Sequence, residues 1–446
     1  MKIRKLNAAT ALGSLTASVA LLAGMSGAHA QGAPGAGSYP SSFLVPGTQT
    51  SFSVGGYAQL LYAYDFGVCT GALAGSGPGN FILDGNKFIL DHVQTFAQSG
   101  HTNHGCSDFT VGTSRFNIQT RTPTAYGELK TYMNVDFQSQ GTGKTNSDRM
   151  NAQMREFYGT LGPVLAGQTT SNFRDASVEA EVIDNGGTTA TGTLRMPQVR
   201  YTFDFGNGLK LSVAAENSQT KVVDSSSSSL GGAGLTSPIS GFSDKIPDFT
   251  GKLQYDAPWG HINLRGVASD LYWHDSLPGH NHQSTSTFGW GIGVAGTYNL
   301  PWFKDSINGA FNYGDGAGRY VGGSGSPQVD AMINASDPNS SLKTITAWQI
   351  QGNYVHNWTD TLRSNVAGSW YHQNSKLSDF EEGAPHNRRS SNANMWKDEW
   401  YSAVNLIWSP VPQVDFGVEF AYSRGTLQGG QNGSQSRLNA EATFRF

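Results

Sequence analysis

From Ser436 to the terminal Phe446 the chain alternates without a break. Leu438, Ala440, Ala442, Phe444 and Phe446 fall on one side, and Arg437, Asn439, Glu441, Thr443 and Arg445 on the other. A period of two marks a strand whose two faces meet different surroundings. The polar face cannot meet lipid, because an arginine or lysine at mid-depth costs about 2–4 kcal/mol there. The other face offers only apolar groups. Such a segment suits the wall of a closed barrel, with lipid outside and water inside.

The same alternation recurs along the chain, at 52–65, 113–122, 124–138, 153–161, 164–171, 196–205, 209–219, 249–256, 262–273, 287–298, 304–313, 344–358, 361–372, 400–408, 413–424 and 436–446, which makes sixteen strands. The connections alternate between short and long. Gly162-Pro163, Gly206-Asn207-Gly208 and Thr359-Asp360 are short; the Ser-rich stretch from Val222 to Asp244 is long. Short turns at one end and long loops at the other belong to an outer-membrane barrel, and an even strand number places both chain ends on the short-turn side. Trp259, Trp302, Trp358 and Trp408 lie beside short turns, and Trp273, Trp370 and Trp400 beside long loops, as two interfacial girdles require. A soluble β-sandwich would explain the alternation but needs neither the turn asymmetry nor the tryptophan bands. The expected fold class is therefore all-β: a 16-stranded antiparallel transmembrane β-barrel over residues 52–446.

The N-terminus reads as an export signal over residues 1–30. Lys2, Arg4 and Lys5 precede an apolar run, and Ala28-His29-Ala30 fits a cleavage site. Residues 31–51, rich in Gly, Pro and Ser, are expected to form a short flexible periplasmic lead-in. Loss of Lys2, Arg4 and Lys5 takes the formal net charge from −4 to −7. That modest acidity argues against nucleic-acid binding. Cys69 and Cys106 fall in one long loop of an exported chain, so a disulfide between them is expected, with two unpaired thiols as the other reading. Neither cysteine has His or carboxylate neighbours at metal-ligand spacing, and no metal or cofactor is expected.

A long stretch without alternation follows residue 171 and carries Asp175, Glu179, Glu181 and Asp184. Long loops inside a compact fold are usually functional. This one, 173–193, is expected to fold into the bore as a constriction loop. By parity the bore wall carries Arg115, Arg121, Lys130, Arg155, Arg200, Lys210, Lys252, Arg265, Arg363, Arg437 and Arg445, with Glu128, Asp136, Glu216, Asp256, Asp415, Glu419 and Glu441. Arg115, Lys130, Arg155 and Arg200 lie on strands adjoining the loop and are the expected basic side of the constriction. A transverse field between acids and bases sorts ions by sign. Each arginine is equally well explained as one half of an ion pair within the bore.

Two segments resemble a known family. The stretch "AQMREFYGTLGPVLAGQTTSNFRDA…RMPQVRYTFDF" and the stretch "SFLVPGTQTSFSVGGYAQLLYAYD" are similar to parts of the DcaP-like trimeric outer-membrane porins, and "KIPDFTGKLQYDAPWGHINLRG" is similar more weakly. The resemblance implies a homotrimer in the bacterial outer membrane, in contact with its lipid and lipopolysaccharide. It also implies passive diffusion of small hydrophilic solutes and ions, with a leaning toward anions such as dicarboxylates. Small outward residues such as Gly55, Ala125, Gly127 and Ala152 would suit close packing between barrels. Two other functions are open to a barrel of this kind. A surface receptor or adhesin would use the long loops and predicts a plugged bore. A barrel-embedded hydrolase would need a site such as His274, Asp275, His280 and His282, whose spacing matches no established motif.

Overall fold

The computed structural model describes residues 35–66, 105–139, 151–184, 194–224, 244–274, 284–322, 329–334, 337, 339–374, 396–428, 430 and 432–446. The export signal, Cys69, and the loop with Asp275, His280 and His282 lie outside the described residues, so the disulfide and the histidine cluster do too.

Sixteen antiparallel strands close into one barrel. They are β1 Ser51–Asp65, β2 in two pieces Cys106–Thr110 and Arg115–Thr124, β3 Gly127–Ser139, and β4 Asn151–Leu161. Then come β5 Val164–Thr170, β6 Arg195–Asp204, β7 Leu209–Glu216, β8 Asp248–Ala257, β9 Gly260–His274 and β10 Ser284–Asn299. The remainder are β11 Ser306–Asp315, β12 Thr346–Asn357, β13 Leu362–Asn374, β14 Trp396–Val411, β15 Val414–Leu427 and β16 Asn432–Arg445. Each strand pairs with the next, and β16 returns to β1 in the register Tyr57↔Arg445 to Asp65↔Arg437. Closure leaves no open sheet edge, the condition for crossing lipid with strands. Gly208 shows how tightly the short turns are made. Its φ is +85°, and a Cβ there would stand 2.0 Å from the Asp256 carbonyl oxygen.

Burial follows the pattern of the sequence. On β16, Arg437, Asn439 and Thr443 are buried in the bore, while Leu438 and Phe444 are exposed on the outer face. Trp259, Trp302, Trp358 and Trp408 are exposed near the short turns. At the other end Trp348 meets Trp370 edge to face and Trp370 stacks on Trp400, with ring centroids 4.5 and 4.4 Å apart.

Several expectations are corrected. Trp273 belongs to no girdle: it is 0% exposed and packs inside the barrel with Val222, Leu271, Ala331, Ile333 and Leu342. Its partners come from the long connections after β7 and β11, which fold into the bore. There Val222–Asp224, Ala331–Ile333 and Lys343–Thr344 form a three-stranded sheet. A one-turn helix, Gly318–Val321, joins it, and Tyr320 and Val321 pack on Phe173, Val267, Ala347 and Tyr371. Gly55 faces the bore, not a neighbour, since a Cβ there would lie 3.3 Å from Asn117 Oδ1. Within the lead-in, Phe43–Leu44 pairs with Phe52 and Ser51, and Tyr39 bonds the Gln119 carbonyl at 2.8 Å beneath the Arg121 guanidinium.

The buried Arg437 ties the seam together. It reaches Asp65 of β1 at 2.7 and 3.1 Å and Asp184 of the internal loop at 3.0 Å. Removing one partner from a buried ionic cluster leaves the opposing charges uncompensated. Arg437→Ala is expected to lower barrel stability by about 3–5 kcal/mol. Guanidinium unfolding in detergent, followed by tryptophan fluorescence, checks this; an unchanged midpoint would show the seam does not depend on the arginine.

Candidate functional site inside the barrel

The loop that leaves β5 enters the bore and runs along its wall, tied to one strand after another. Glu216 of β7 accepts from the Asn172 amide at 2.6 Å and the Ser171 hydroxyl at 2.7 Å. Arg265 of β9 donates to the Phe173 carbonyl at 2.8 Å. Val178 packs against Ala295 of β10 and Ala310 of β11, and Gln351 of β12 donates to its carbonyl at 3.2 Å. Asn365 of β13 and Asn405 of β14 donate to the Glu181 carbonyl at 3.0 and 2.6 Å. Glu419 of β15 accepts from the Ile183 and Asp184 amides at 2.7 Å each. A loop without strand pairing must satisfy its backbone groups somewhere, and here inward polar side chains of the wall supply the partners.

This path determines what each loop carboxylate does. Asp175 caps the single turn Ala176–Val178 through the Ser177 amide at 3.1 Å. It also receives His261 at 2.7 Å and Asn263 at 2.5 Å. Burial opposes ionisation of Asp175, but bonds from Ser177, His261 and Asn263 outweigh it, and the carboxyl stays below its ordinary range. Glu181 takes the Arg363 guanidinium, with Nε at 2.8 Å. Asp184 is buried against Arg437. Glu179 is left half-buried, among Arg195, Arg174 and Arg115. Burial pushes its carboxyl up to about 7, against the pull of those three cations.

The loop thus covers the wall from β9 to β16, and the basic residues gather on the opposite side. Asp136 of β3 is fully buried, ion-paired to Arg155, with Arg115 Nε 3.9 Å away. Arg200 of β6 is held by neutral oxygens: Thr170 carbonyl at 2.7 Å and Gln198 Oε1 at 2.7 and 3.0 Å. The Lys130 ammonium lies over the Tyr132 and Tyr158 rings, 5.7 and 5.9 Å from their centroids. Lys252 of β8 feels Arg200 as a like charge, and Arg195 feels both Arg155 and Arg115. Arg115, Arg155, Arg195, Arg200, Lys130 and Lys252 line this side, interspersed with Asp136, Glu156 and Glu179, with Glu128 near Lys130 and Glu216 near Arg200 and Lys252. The structure therefore brings Arg115, Arg155 and Glu179 together, with Arg200 and Lys130 further along the same wall. Asp175, Glu181 and Asp184 are engaged elsewhere.

Arg195 was missed because the strand was expected to begin at residue 196. Glu156 and Tyr158 were missed for another reason. β3 and β4 pair as Asn134↔Glu156 and then Val135↔Met154, so Arg155 is an extra residue in β4. This β-bulge lets Arg155 and Glu156 both turn inward, while Met154 and Phe157 stay exposed outside. Beyond a bulge, parity carried from either end of the strand is off by one.

A sequence profile of the DcaP outer membrane protein family matches residues 95–446. Porin Omp2b of Brucella suis is 28% identical over 210 residues, 42% of this chain and 53% of that protein, so the chain spans about half the length of the curated relative it matches. Among solved structures, the outer membrane channel DcaP of Acinetobacter baumannii superposes with a TM-score of 0.68 at 20% identity, covering 91% of this chain and 100% of that one. An anion-selective porin from Comamonas acidovorans gives 0.53 at 10% identity, covering 89% and 100%. At these identities the likeness is one of fold.

Because Glu179 is neutral below its raised pKa and charged above it, the constriction becomes more negative as pH rises through about 7. Anion preference is expected to be higher at about pH 6 than at about pH 8, one unit to either side of that value. Reversal potentials in a KCl gradient read this directly. Glu179→Gln should hold the low-pH value throughout; a step of undiminished size in that variant would assign the titration to another group.

Proposed function

We propose that this chain, which belongs to the DcaP outer membrane protein family, is a porin for passive diffusion of small hydrophilic solutes across the bacterial outer membrane, and that it favours anions. The observation that carries the reading is the division of the bore. Three of the four loop carboxylates are engaged by the wall that holds the loop, and the facing wall presents Arg115, Arg155, Arg195, Arg200, Lys130 and Lys252. A solute passing between them meets a positive surface first. A unit charge met at about 4 Å in water is worth about 1 kcal/mol, or roughly fivefold in local ion concentration. Several such charges along one wall act as a filter by sign without binding a solute tightly enough to stop it. Dicarboxylates fit as substrates because two carboxylates can engage neighbouring guanidinium groups, each as a charge-assisted pair.

We propose further that the chain assembles as a homotrimer through the outer face of β2 to β5. Gly127, Ala152, Gly159 and Ala166 leave gaps between larger outward side chains such as Met154 and Phe157, and the hydroxyls of Thr120 and Thr131 bond each other on that face at 2.6 Å. Hydroxyl pairs suit a contact between protein surfaces better than contact with lipid tails. A disulfide between Cys69 and Cys106 is proposed as well, and intact mass under non-reducing conditions decides it.

Planar-bilayer recording tests the main reading. A KCl gradient is expected to give a reversal potential on the chloride side. Arg155→Glu combined with Arg200→Glu should move it to the potassium side. A strong cation preference in the unaltered protein defeats the anion reading, and absence of any conductance defeats the porin itself.

A further inference from the structure

Gln168 is a polar residue in an unexpected place. It sits on β5 opposite Phe157 of β4, and Phe157 is exposed on the outer face of the barrel. An amide on that face is costly unless its groups are bonded. Its Nε2 donates to the Met154 carbonyl at 3.0 Å and to the Arg155 carbonyl at 3.3 Å. Those two carbonyls flank the point where Arg155 is inserted into β4. The β4–β5 ladder ends at the Phe157↔Gln168 pair. β5 therefore offers no further rungs to the bulged segment, and the glutamine side chain reaches it instead.

We propose that Gln168 is a positioning residue for the basic cluster: from outside the barrel it staples the β4 bulge that turns Arg155 into the bore. The inner end of the same device is the ion pair of Arg155 with the fully buried Asp136. Two attachments on opposite faces of the wall hold one extra residue. Without the outer one, the Met154 and Arg155 carbonyls lose the amide donor that bridges them, and the bulge is freer to shift along the strand. A slip by one residue reverses the face of every side chain it passes. Arg155 would then turn outward for part of the time and Met154 inward. Polarity on the outer face would thus govern ion selection on the inner one, with no change in any charge of the bore.

This inference rests on the anion-filter reading for its functional consequence, and two measurements separate them. Gln168→Met keeps the length of the side chain and removes its donors. Hydrogen–deuterium exchange of the 151–157 segment is expected to rise severalfold in this variant, with the 127–133 segment of β3 unchanged. In a KCl gradient the variant should move the reversal potential toward potassium by most of the shift produced by Arg155→Met. The double variant should then add nothing to Arg155→Met alone. Unchanged exchange overturns the staple. Raised exchange with an unmoved reversal potential, where Arg155→Met does shift it, overturns its hold on Arg155. If Arg155→Met itself is silent, the filter reading fails at that residue, and exchange alone decides whether Gln168 holds the bulge.

Discussion

Everything in this barrel depends on the join between its first strand and its last. Lipid offers no partner to an open sheet edge, so the structure exists only if β16 finds β1 in the right register. Asp65 and Arg437 are opposite one another at one end of that join, and the same guanidinium holds Asp184 of the internal loop. One buried cation therefore couples closure of the wall to the placing of the loop.

From that point the interior divides. The wall from β9 to β16 spends its inward polar groups on the loop, and the connections after β7 and β11 add apolar packing around Trp273 and Tyr320. Arg265, Arg363 and Arg437 are fixed there by loop groups. The cations on the other wall are held mostly by neighbouring strands. Chemically similar arginines thus have two kinds of work, set by whether a loop group comes within reach.

The strand number and the facing of most side chains were legible in the sequence, because a wall between lipid and water imposes period two on every strand. The C-terminal strand alone, with Arg437 and Arg445 opposite Leu438 and Phe444, states that rule. Entry of the loop after β5 was legible from its length and its lack of alternation. What parity does not carry is depth or contact. It could not tell that Asp175 and Asp184 end in partnerships while Glu179 does not, since those partners are hundreds of residues distant in some cases, as with Asp184 and Arg437. It failed at Glu156 and Tyr158, where the extra residue Arg155 offsets the count, and at Trp273, whose inward side is covered by apolar segments of loops. Val222, Val223 and the run Ala331–Ile333 were the available signal for that cover: short apolar stretches in connections that had no strand of the wall to join.

The fixed loop has a consequence for how such a channel changes over generations. Most of the residues that hold the loop and most of the proposed solute-facing residues sit on different walls, so many of them can vary separately. Lys130 lies over Tyr132 and Tyr158 and, among the described residues, bears on no group of the internal loop, so it can be replaced without disturbing the loop. The chemistry of the passage can drift toward a new nutrient while the frame stays intact. A change at Arg363 or Glu419 has no such freedom, because the loop itself would come loose with it.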